Sequence, residues 1–184
     1  MFRKIFLRIY FIIVHPAREW RVLAEEERES EHFYSSYFHP LLGLIALAAF
    51  LGSVFSSRSV ETALKLSILE FVVYFAGFYL SSFLLKKIME RSCAGAHTER
   101  IPYFAVYASS PVYLISIITS LFGSGSQAVY FFLPYTAYII WEGASNYMGI
   151  EEEKQIRFSG ASTLLLLLIP YLIYFIIKKF MLIT

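Results

Sequence analysis

The sequence of 184 residues contains no aspartate, only one cysteine and few charged residues. The absence of aspartate excludes every mechanism that needs this side chain, including intramembrane aspartyl proteolysis and the Asp-rich metal sites of lipid-headgroup transferases. The single cysteine, Cys93, cannot form an internal disulfide bond. Because the formal net charge is only +2, the chain has no long basic face that would follow a phosphate backbone, so we do not expect nucleic-acid binding.

Residue types that build catalytic and metal sites are also scarce. Of the four histidines only His39 lies within an apolar run, near the start of that run. Cys93 and His97 have the spacing of one helix face, but two ligands are fewer than the three or four that zinc sites use. Ser124 lies in a glycine–serine turn, and the interiors of the apolar runs hold no histidine to activate it. The sequence therefore predicts no catalytic residue, no metal and no cofactor, and we do not expect an enzyme.

Apolar residues are in excess: they make up 58% of the chain, against roughly 45–50% in soluble domains. A bilayer core of about 30 Å needs about 20 predominantly apolar residues in one helix. Five runs fit that requirement: residues 37–55, 64–85, 103–122, 128–148 and 161–178. The sequence thus predicts an all-α membrane protein, with a five-helix transmembrane bundle over residues 36–184 and amphipathic interfacial helices in residues 1–35.

The distribution of lysine and arginine predicts the orientation, because cytoplasmic segments of membrane proteins retain positive charge. With five spans, three basic segments fall on one side of the membrane. They hold Arg3, Lys4, Arg8, Arg18, Arg21 and Arg28; Lys86, Lys87, Arg91 and Arg100; and Lys154 and Arg157. The other side has Arg58, an uncharged turn at residues 123–126, and Lys178 with Lys179. We therefore expect a cytoplasmic N-terminus and an external C-terminus.

The N-terminal segment has the pattern of a helix that lies in the lipid headgroup region. Its apolar residues recur at helical spacing, and Arg3, Lys4 and Arg8 fall elsewhere on the helix, where they would face anionic lipid. Pro16 suits the first turn of a second helix, because its missing N–H would be unpaired there in any case. In this prediction Trp20 anchors the second helix at the membrane interface.

Glu70 lies well inside the second apolar run, where a charge costs roughly 2.5–3.5 kcal/mol on insertion scales. One interpretation makes it part of a proton or ion path, or the partner of a cationic group. In another it is a protonated or hydrogen-bonded glutamate that faces a neighbouring helix, where its partner is for example a tyrosine. In a third, the helix is shifted so that Glu70 lies nearer the outer interface, beside Lys65 and Glu61.

Prolines and small residues also recur inside the apolar runs. Pro111, Pro134 and Pro170 would each free a carbonyl and bend a helix. Such bends are found in the broken helices of transporters, but proline is also common in membrane helices for packing alone. Ala48 and Gly52 have the four-residue spacing that lets two membrane helices approach closely.

The order of these features resembles a known family. A Pro-x-x-x-Trp, formed by Pro16 and Trp20, precedes the first span. A Tyr-x-x-x-Pro, formed by Tyr107 and Pro111, lies in the third span, and the aromatic fourth span ends in a Trp-Glu-Gly sequence with Gly143. Together they resemble the Yip-domain family of Ypt/Rab-interacting membrane proteins, and especially its short bacterial members. The resemblance implies five spans with the N-terminus inside, and a location in the bacterial inner membrane.

In its eukaryotic branch this family implies binding of small GTPases and a role in vesicle budding. That implication does not carry over, because the acidic D-L-Y-G-P motif of that branch needs an aspartate. We expect a membrane organiser or adaptor whose partners are the lipid bilayer and either another membrane protein or a second copy of the chain. The alternative is a transporter or channel for a small solute, ion or lipid that uses Glu70 and the proline-bent helices.

Overall fold

The computed structural model describes residues 2–26, 33–92, 97–122 and 126–181. Helix α1 spans Phe2–Val14 and helix α2 spans Pro16–Glu26. The helix is interrupted between them at His15, because Pro16 has no amide hydrogen with which to continue α1. The carbonyl of His15 instead accepts the first hydrogen bond of α2, from the amide of Glu19 at 3.0 Å.

The remaining helices follow the apolar runs. A π-helical turn at Tyr34–Phe38 leads directly into α3, which spans His39–Phe55. The others are α4 (Val60–Ser92), α5 (Ile101–Ala108, after a 3-10 turn at Thr98–Arg100), α6 (Ser110–Phe122), α7 (Ser126–Asn146) and α8 (Glu152–Met181). No strand occurs in the described part of the chain, so the all-α prediction is confirmed there.

The long helices pack in a closed ring. Helix α3 contacts α4, α4 contacts α8, α8 contacts α7, α7 contacts α6, and α6 returns to α3. The short helix α5 contacts both α4 and α7. Helix α2 packs on α7, while α1 packs on α2 and α6. The N-terminal helices are therefore held against the outside of the ring, on the side formed by α6 and α7.

Among the described residues, four helical stretches are long and apolar enough to cross a membrane: Tyr34–Phe55, Val60–Arg91, Thr98–Phe122 and Glu152–Phe180. They correspond to the first, second, third and fifth predicted spans. The predicted fourth span, residues 128–148, overlaps α7, which has 21 residues but is not among the four. Its tyrosines, together with Pro134 and Glu142, lower its apolar character. The prediction of a helical membrane protein thus has support from four spans, and the fifth stays a prediction.

The predicted third span is divided by Pro111 into α5 and α6. The amide of Ser109 still donates to the carbonyl of Ala105, at 3.1 Å, but the α-helix is interrupted at Ser109, where ψ is −5°. The hydroxyl of Ser110 donates to the carbonyl of Val106, at 3.1 Å, and lies 3.1 Å from the hydroxyl of Tyr37. These side-chain bonds satisfy polar groups near the break, as a proline inside a membrane helix requires. By contrast, Pro134 and Pro170 lie within α7 and α8 without ending them.

Gly52 marks the closest approach of α3 to α6. A Cβ atom built on Gly52 would lie 1.7 Å from the carbonyl oxygen of Ser120 and 2.6 Å from its carbonyl carbon, both of them backbone atoms. Only glycine fits, because the backbone of α6 occupies the space of a side chain. The small-residue spacing of Ala48 and Gly52 therefore predicted a close helix contact correctly, since both residues are buried.

Gly52→Ala should destabilise the bundle by about 1–3 kcal/mol, because the new methyl group meets a helix backbone that cannot yield without moving α6. Thermal unfolding of the purified protein in mild detergent measures the effect. The matched control is Gly43→Ala in the same helix, where a Cβ would meet nothing within 4 Å. Equal melting temperatures for the two variants would mean that α3 and α6 do not approach as described.

Candidate functional site

Trp20 is a buried residue that joins α2 to the ring. Its side chain is 0% exposed, and its indole N–H donates to the carbonyl oxygen of Ile139 in α7, at 2.9 Å. The ring centroid lies 5.1 Å from that of Tyr147 and 5.4 Å from that of Phe104. This corrects the expectation that Trp20 anchors α2 in the headgroup region: the indole has the amphipathic character of an interfacial residue, but both its ring and its N–H are satisfied inside the protein.

Gly143 provides the space for the indole. A Cβ atom on Gly143 would lie 2.6 Å from a ring carbon of Trp20 and 2.8 Å from a ring carbon of Phe104. Tyr107 closes another side, with its ring edge-on to Trp20 at a centroid distance of 6.4 Å. We call the group formed by Phe104, Tyr107, Ile139, Gly143 and Tyr147 the tryptophan pocket. Three residues named by the family resemblance, Trp20, Tyr107 and Gly143, therefore meet in one place.

The two motif prolines lie outside the tryptophan pocket but determine how the chain enters it. Pro16 is the first residue of α2, so Trp20 follows one helical turn later on the same face. Both are buried against the ring. Pro111 follows Tyr107 by one turn and sits at the start of α6, where the predicted third span breaks. Pro16 thus begins the helix that carries the indole, and Pro111 lies just after the helix that carries Phe104 and Tyr107.

Polar side chains surround the last turn of α7, next to the tryptophan pocket. Arg100 donates to the carbonyl oxygen of Tyr147 at 2.8 Å, and its guanidinium lies 5.5 Å from the centre of the Tyr147 ring. Arg21 of α2 donates to the side-chain oxygen of Asn146 at 2.8 Å. Asn146 in turn donates to the carboxylate of Glu142 at 2.9 Å. Cations at a helix C-terminus interact favourably with its unpaired carbonyls and with the helix dipole.

Arg8 connects α1 to α2 by two ion pairs. Its guanidinium donates to the carboxylates of Glu19 and Glu26, each at 2.5 Å. The Glu19 side chain is only 9% exposed. Burial by itself would lower the pKa of Arg8, but the hydrogen bond to Glu19 and the charges of both glutamates outweigh it, so the pKa is raised overall. Arg8 was expected to face anionic lipid; in the structure its guanidinium pairs with two carboxylates of α2, and its contact with lipid stays a prediction.

Arg3 and Lys4 are exposed on α1, as the interfacial prediction requires, and their contact with lipid stays a prediction. The inner face of α1 consists of Ile5, Ile9 and Ile12, which are buried in the protein core. The outer face is also largely apolar. Its exposed apolar residues are Phe2, Phe6, Leu7, Tyr10, Phe11 and Val14. In α2, by contrast, the exposed residues are charged: Arg18, Arg21, Glu25 and Glu26.

Glu70 faces a neighbouring helix, as one of its three interpretations requires. The hydroxyl of Ser116 in α6 donates to its carboxylate at 3.3 Å. One turn along α4, Tyr74 lies edge-on to Tyr113 with a centroid distance of 5.3 Å. These two tyrosines line a cavity of about 10 Å³ between α4, α5, α6 and α8, which also touches Pro170. A cavity of this size holds about one water molecule.

The other residues considered from the sequence are described only in part. Cys93 and Ser124 lie outside the described residues. His97 is exposed and pairs with Glu99, at 2.9 Å. Within the described ranges, no three His, Cys or Glu side chains come together as metal ligands would. That the chain is not an enzyme and needs no cofactor stays a prediction.

Gly143→Ala should displace the Trp20 indole, because the added methyl group would overlap two aromatic rings. We expect a loss of about 1–3 kcal/mol in unfolding free energy. In a Trp141→Phe background, Trp20 is the only tryptophan, so its fluorescence spectrum should shift to longer wavelength as the indole meets water. Gly160→Ala is the control, since a Cβ there meets nothing within 4 Å. An unchanged spectrum in both variants would contradict the pocket geometry.

Comparison with known proteins gives one match. The sequence model of the Yip1 domain matches residues 10–178. No curated protein and no solved structure matches the chain. The matched range begins within α1 and ends near the end of α8, so it includes the tryptophan pocket and every long helix of the ring. It confirms the resemblance that was recognised from Pro16, Trp20, Tyr107, Pro111 and Gly143. The chain belongs to the Yip1 domain family.

Proposed function

We propose that this Yip1-family protein is a non-enzymatic membrane organiser or adaptor with five spans, and that its cytoplasmic surface for partners is built around α2. The observation that carries the proposal is the burial of Trp20. The buried Trp20 side chain holds α2 rigidly on α7. The exposed residues of α2 therefore form a fixed charged surface, which consists of Arg18, Arg21, Glu25 and Glu26. A rigid surface of mixed charge next to the bilayer is suited to a protein partner or a second copy of the chain.

The difference between the outer faces of α1 and α2 supports an interfacial position for this pair. The outer face of α1 is apolar and that of α2 is charged. An apolar face is stable in the acyl-chain region and a charged face is stable in water. The level of the membrane surface would therefore cross the chain near His15 and Pro16. Arg8, on the lipid side of that level, has the two glutamate partners that a cation in an apolar setting needs.

Helix α7 is the proposed fifth span. Its 21 residues correspond to about 30 Å, enough for the hydrocarbon core. It takes a full place in the ring, between α6 and α8, so lipid contacts only part of its surface. The N-terminal helices and the basic segment at Lys86 fall on one side because two spans separate them, and with α7 as a span the basic segment at Lys154 falls on that side too. That side would be the cytoplasm, and the C-terminus would lie outside, in the bacterial inner membrane.

Single-cysteine labelling tests this topology. In a Cys93→Ser background, Glu25→Cys, Arg58→Cys and Lys179→Cys each place one thiol at an exposed position. A membrane-impermeant maleimide should label positions 58 and 179 in intact cells, and position 25 only after the membrane is opened. Protection of position 179 in intact cells would show that α7 does not cross and that there are four spans.

Site-specific photo-crosslinking tests the adaptor role. A photoreactive amino acid at Glu25, on the proposed surface, should yield one discrete protein adduct in native membranes. The same residue at Arg58, exposed at the opposite end of the ring, is the matched control. Arg18→Glu should weaken the adduct at position 25, because it reverses one charge of the surface without touching the tryptophan pocket. If both positions give the same adducts, α2 does not form a specific partner surface.

A transporter is the second candidate, and the contact between Glu70 and Ser116 favours it. The carboxylate, the two tyrosines and the small cavity next to them form a short polar path inside the ring. In proteoliposomes with a pH-sensitive dye, a proton-coupled transporter would show flux that Glu70→Gln abolishes while expression is unchanged. The adaptor proposal instead predicts no flux above that of empty vesicles, in either form.

A further inference from the structure

A cleft on the outer surface of α4 lies apart from both the tryptophan pocket and Glu70. Its volume is about 220 Å³. The second half of α4 forms one wall, the start of α5 forms the other, and Tyr34 closes one side. The residues that matter for its chemistry are Tyr34, Tyr79, Ser82, Phe83, Lys86 and Pro102.

The cleft is apolar along its length and basic at one end. Phe83 and Pro102 offer only carbon atoms to it. Lys86 lines its end and is exposed, and within the described residues no carboxylate pairs with it. The ammonium group of the adjacent Lys87 lies 4.5 Å from the centre of the Phe83 ring. Two neighbouring positive charges thus stand at the mouth of an aromatic groove.

Hydrogen-bond donors line the same cleft. The hydroxyl of Ser82 is buried, and in the described part of the chain it has no hydrogen-bond partner. Tyr34 and Tyr79 belong to the lining as well, and each carries a phenol that can donate a hydrogen bond. A buried hydroxyl without a partner is costly, and such groups in native proteins call for an explanation. A polar occupant near Ser82 would provide one.

The position of the cleft along α4 identifies the kind of molecule that fits. Residues 71–85 carry no charge, and Lys86 is the first charged residue after them. The lining extends from Lys86 back to Phe78, which is about 12 Å along a helix. The basic end therefore lies where hydrocarbon gives way to water, and the apolar part runs into the hydrocarbon. Basic pockets between membrane helices on the cytoplasmic side bind anionic lipid headgroups.

We propose that this cleft binds one anionic phospholipid of the cytoplasmic leaflet. Its phosphate pairs with Lys86 and Lys87, and part of an acyl chain lies between Phe83 and Pro102. The charges of the two lysines are complementary to a phosphodiester, and the aromatic wall is complementary to a hydrocarbon chain. The occupant is not displaced by water, because only an amphiphile satisfies both ends of the cleft. This site is independent of whether α2 binds a protein partner.

Native mass spectrometry of the full chain, purified in mild detergent, tests the proposal. Phosphatidylglycerol and phosphatidylcholine with identical acyl chains are the two probes. We expect one phosphatidylglycerol retained per chain and at least about tenfold weaker retention of phosphatidylcholine. Lys86→Glu should weaken phosphatidylglycerol binding by at least about tenfold, because a charge-assisted bond is replaced by repulsion. Equal retention of both lipids would overturn the proposal.

Arg91→Glu is the matched control, since Arg91 is exposed on the same helix, carries the same charge and is not part of the cleft lining. It should leave phosphatidylglycerol binding within about twofold of the unchanged protein, because only distant, screened attraction is lost. If Arg91→Glu weakens binding as much as Lys86→Glu does, the attraction is a general effect of the basic surface and there is no site.

A second measurement needs no variant. A phosphatidylglycerol with a photoreactive group in its acyl chain, crosslinked in the intact protein and mapped by peptide mass spectrometry, should label residues 78–83 and 101–102. The exposed apolar surface of α8, including Leu164, Leu168 and Phe175, serves as the internal comparison for ordinary lipid contact. Labelling spread evenly over α4 and α8 would overturn the proposal, even if Lys86→Glu changed the retained lipid.

Discussion

The packing of the Trp20 indole against Gly143 is the contact on which the arrangement of the N-terminal helices depends. The indole ring packs on aromatic rings of two helices, and its N–H is bonded to a carbonyl of α7. Replacing a buried Trp by Ala typically costs about 3–5 kcal/mol, and an unpaired buried N–H costs about 1–3 kcal/mol. These contributions are large relative to the few surface contacts of a helix as short as α2. If a side chain filled the space at Gly143, it would overlap the indole, and the indole would be displaced from the tryptophan pocket.

Two further glycines show that the ring itself is held by close packing. In lipid there is little hydrophobic force between helices, so they associate through van der Waals contact and hydrogen bonds. Gly52 lets α3 touch the backbone of α6, and a Cβ on Gly77 would lie 2.9 Å from the ring of Pro170. Near that contact, the hydroxyl of Ser81 donates to the carbonyl of Leu165 at 3.2 Å. Pro170 has no amide hydrogen for the next carbonyl along α8, that of Leu166, so the cross-helix bond lies beside a carbonyl that lacks its helical donor.

The sequence predicts where the helices lie along the chain better than it predicts which face of each helix contacts protein and which contacts lipid. Apolar runs and prolines identify α3, α4, α6 and α8, because a membrane span needs length and low polarity and little else. Helix α7 is less clear, since its tyrosines and Glu142 lower its apolar character while the neighbouring helices shield it. The predicted location of the Trp20 side chain, at the membrane interface, was wrong because the protein interior and lipid are both apolar. A hydrophobic pattern does not distinguish one from the other.

The candidate site was only partly visible in the sequence. Tyr107 and Gly143 were found because they belong to a family pattern, and no spacing indicated that they would meet Trp20. Phe104 and Tyr147 were missed, since nothing marks one aromatic residue of an aromatic-rich chain as a contact. The partners of Arg8 were missed as well. Glu19 and Glu26 reach it only because the break at His15 folds α2 back along α1, which is a tertiary effect.

Three arginine side chains make polar contacts near the N-terminal helices and the end of α7, and these contacts are the basis of the proposed adaptor function. Arg8, Arg21 and Arg100 all bind groups that fix α2 or the last turn of α7. Inside the ring, the group around Glu70 is smaller and adjoins a cavity for about one water. A transport path needs a polar route that two conformations expose alternately. A partner surface needs only a rigid display of charge, and the contacts that would provide rigidity are those that hold α2.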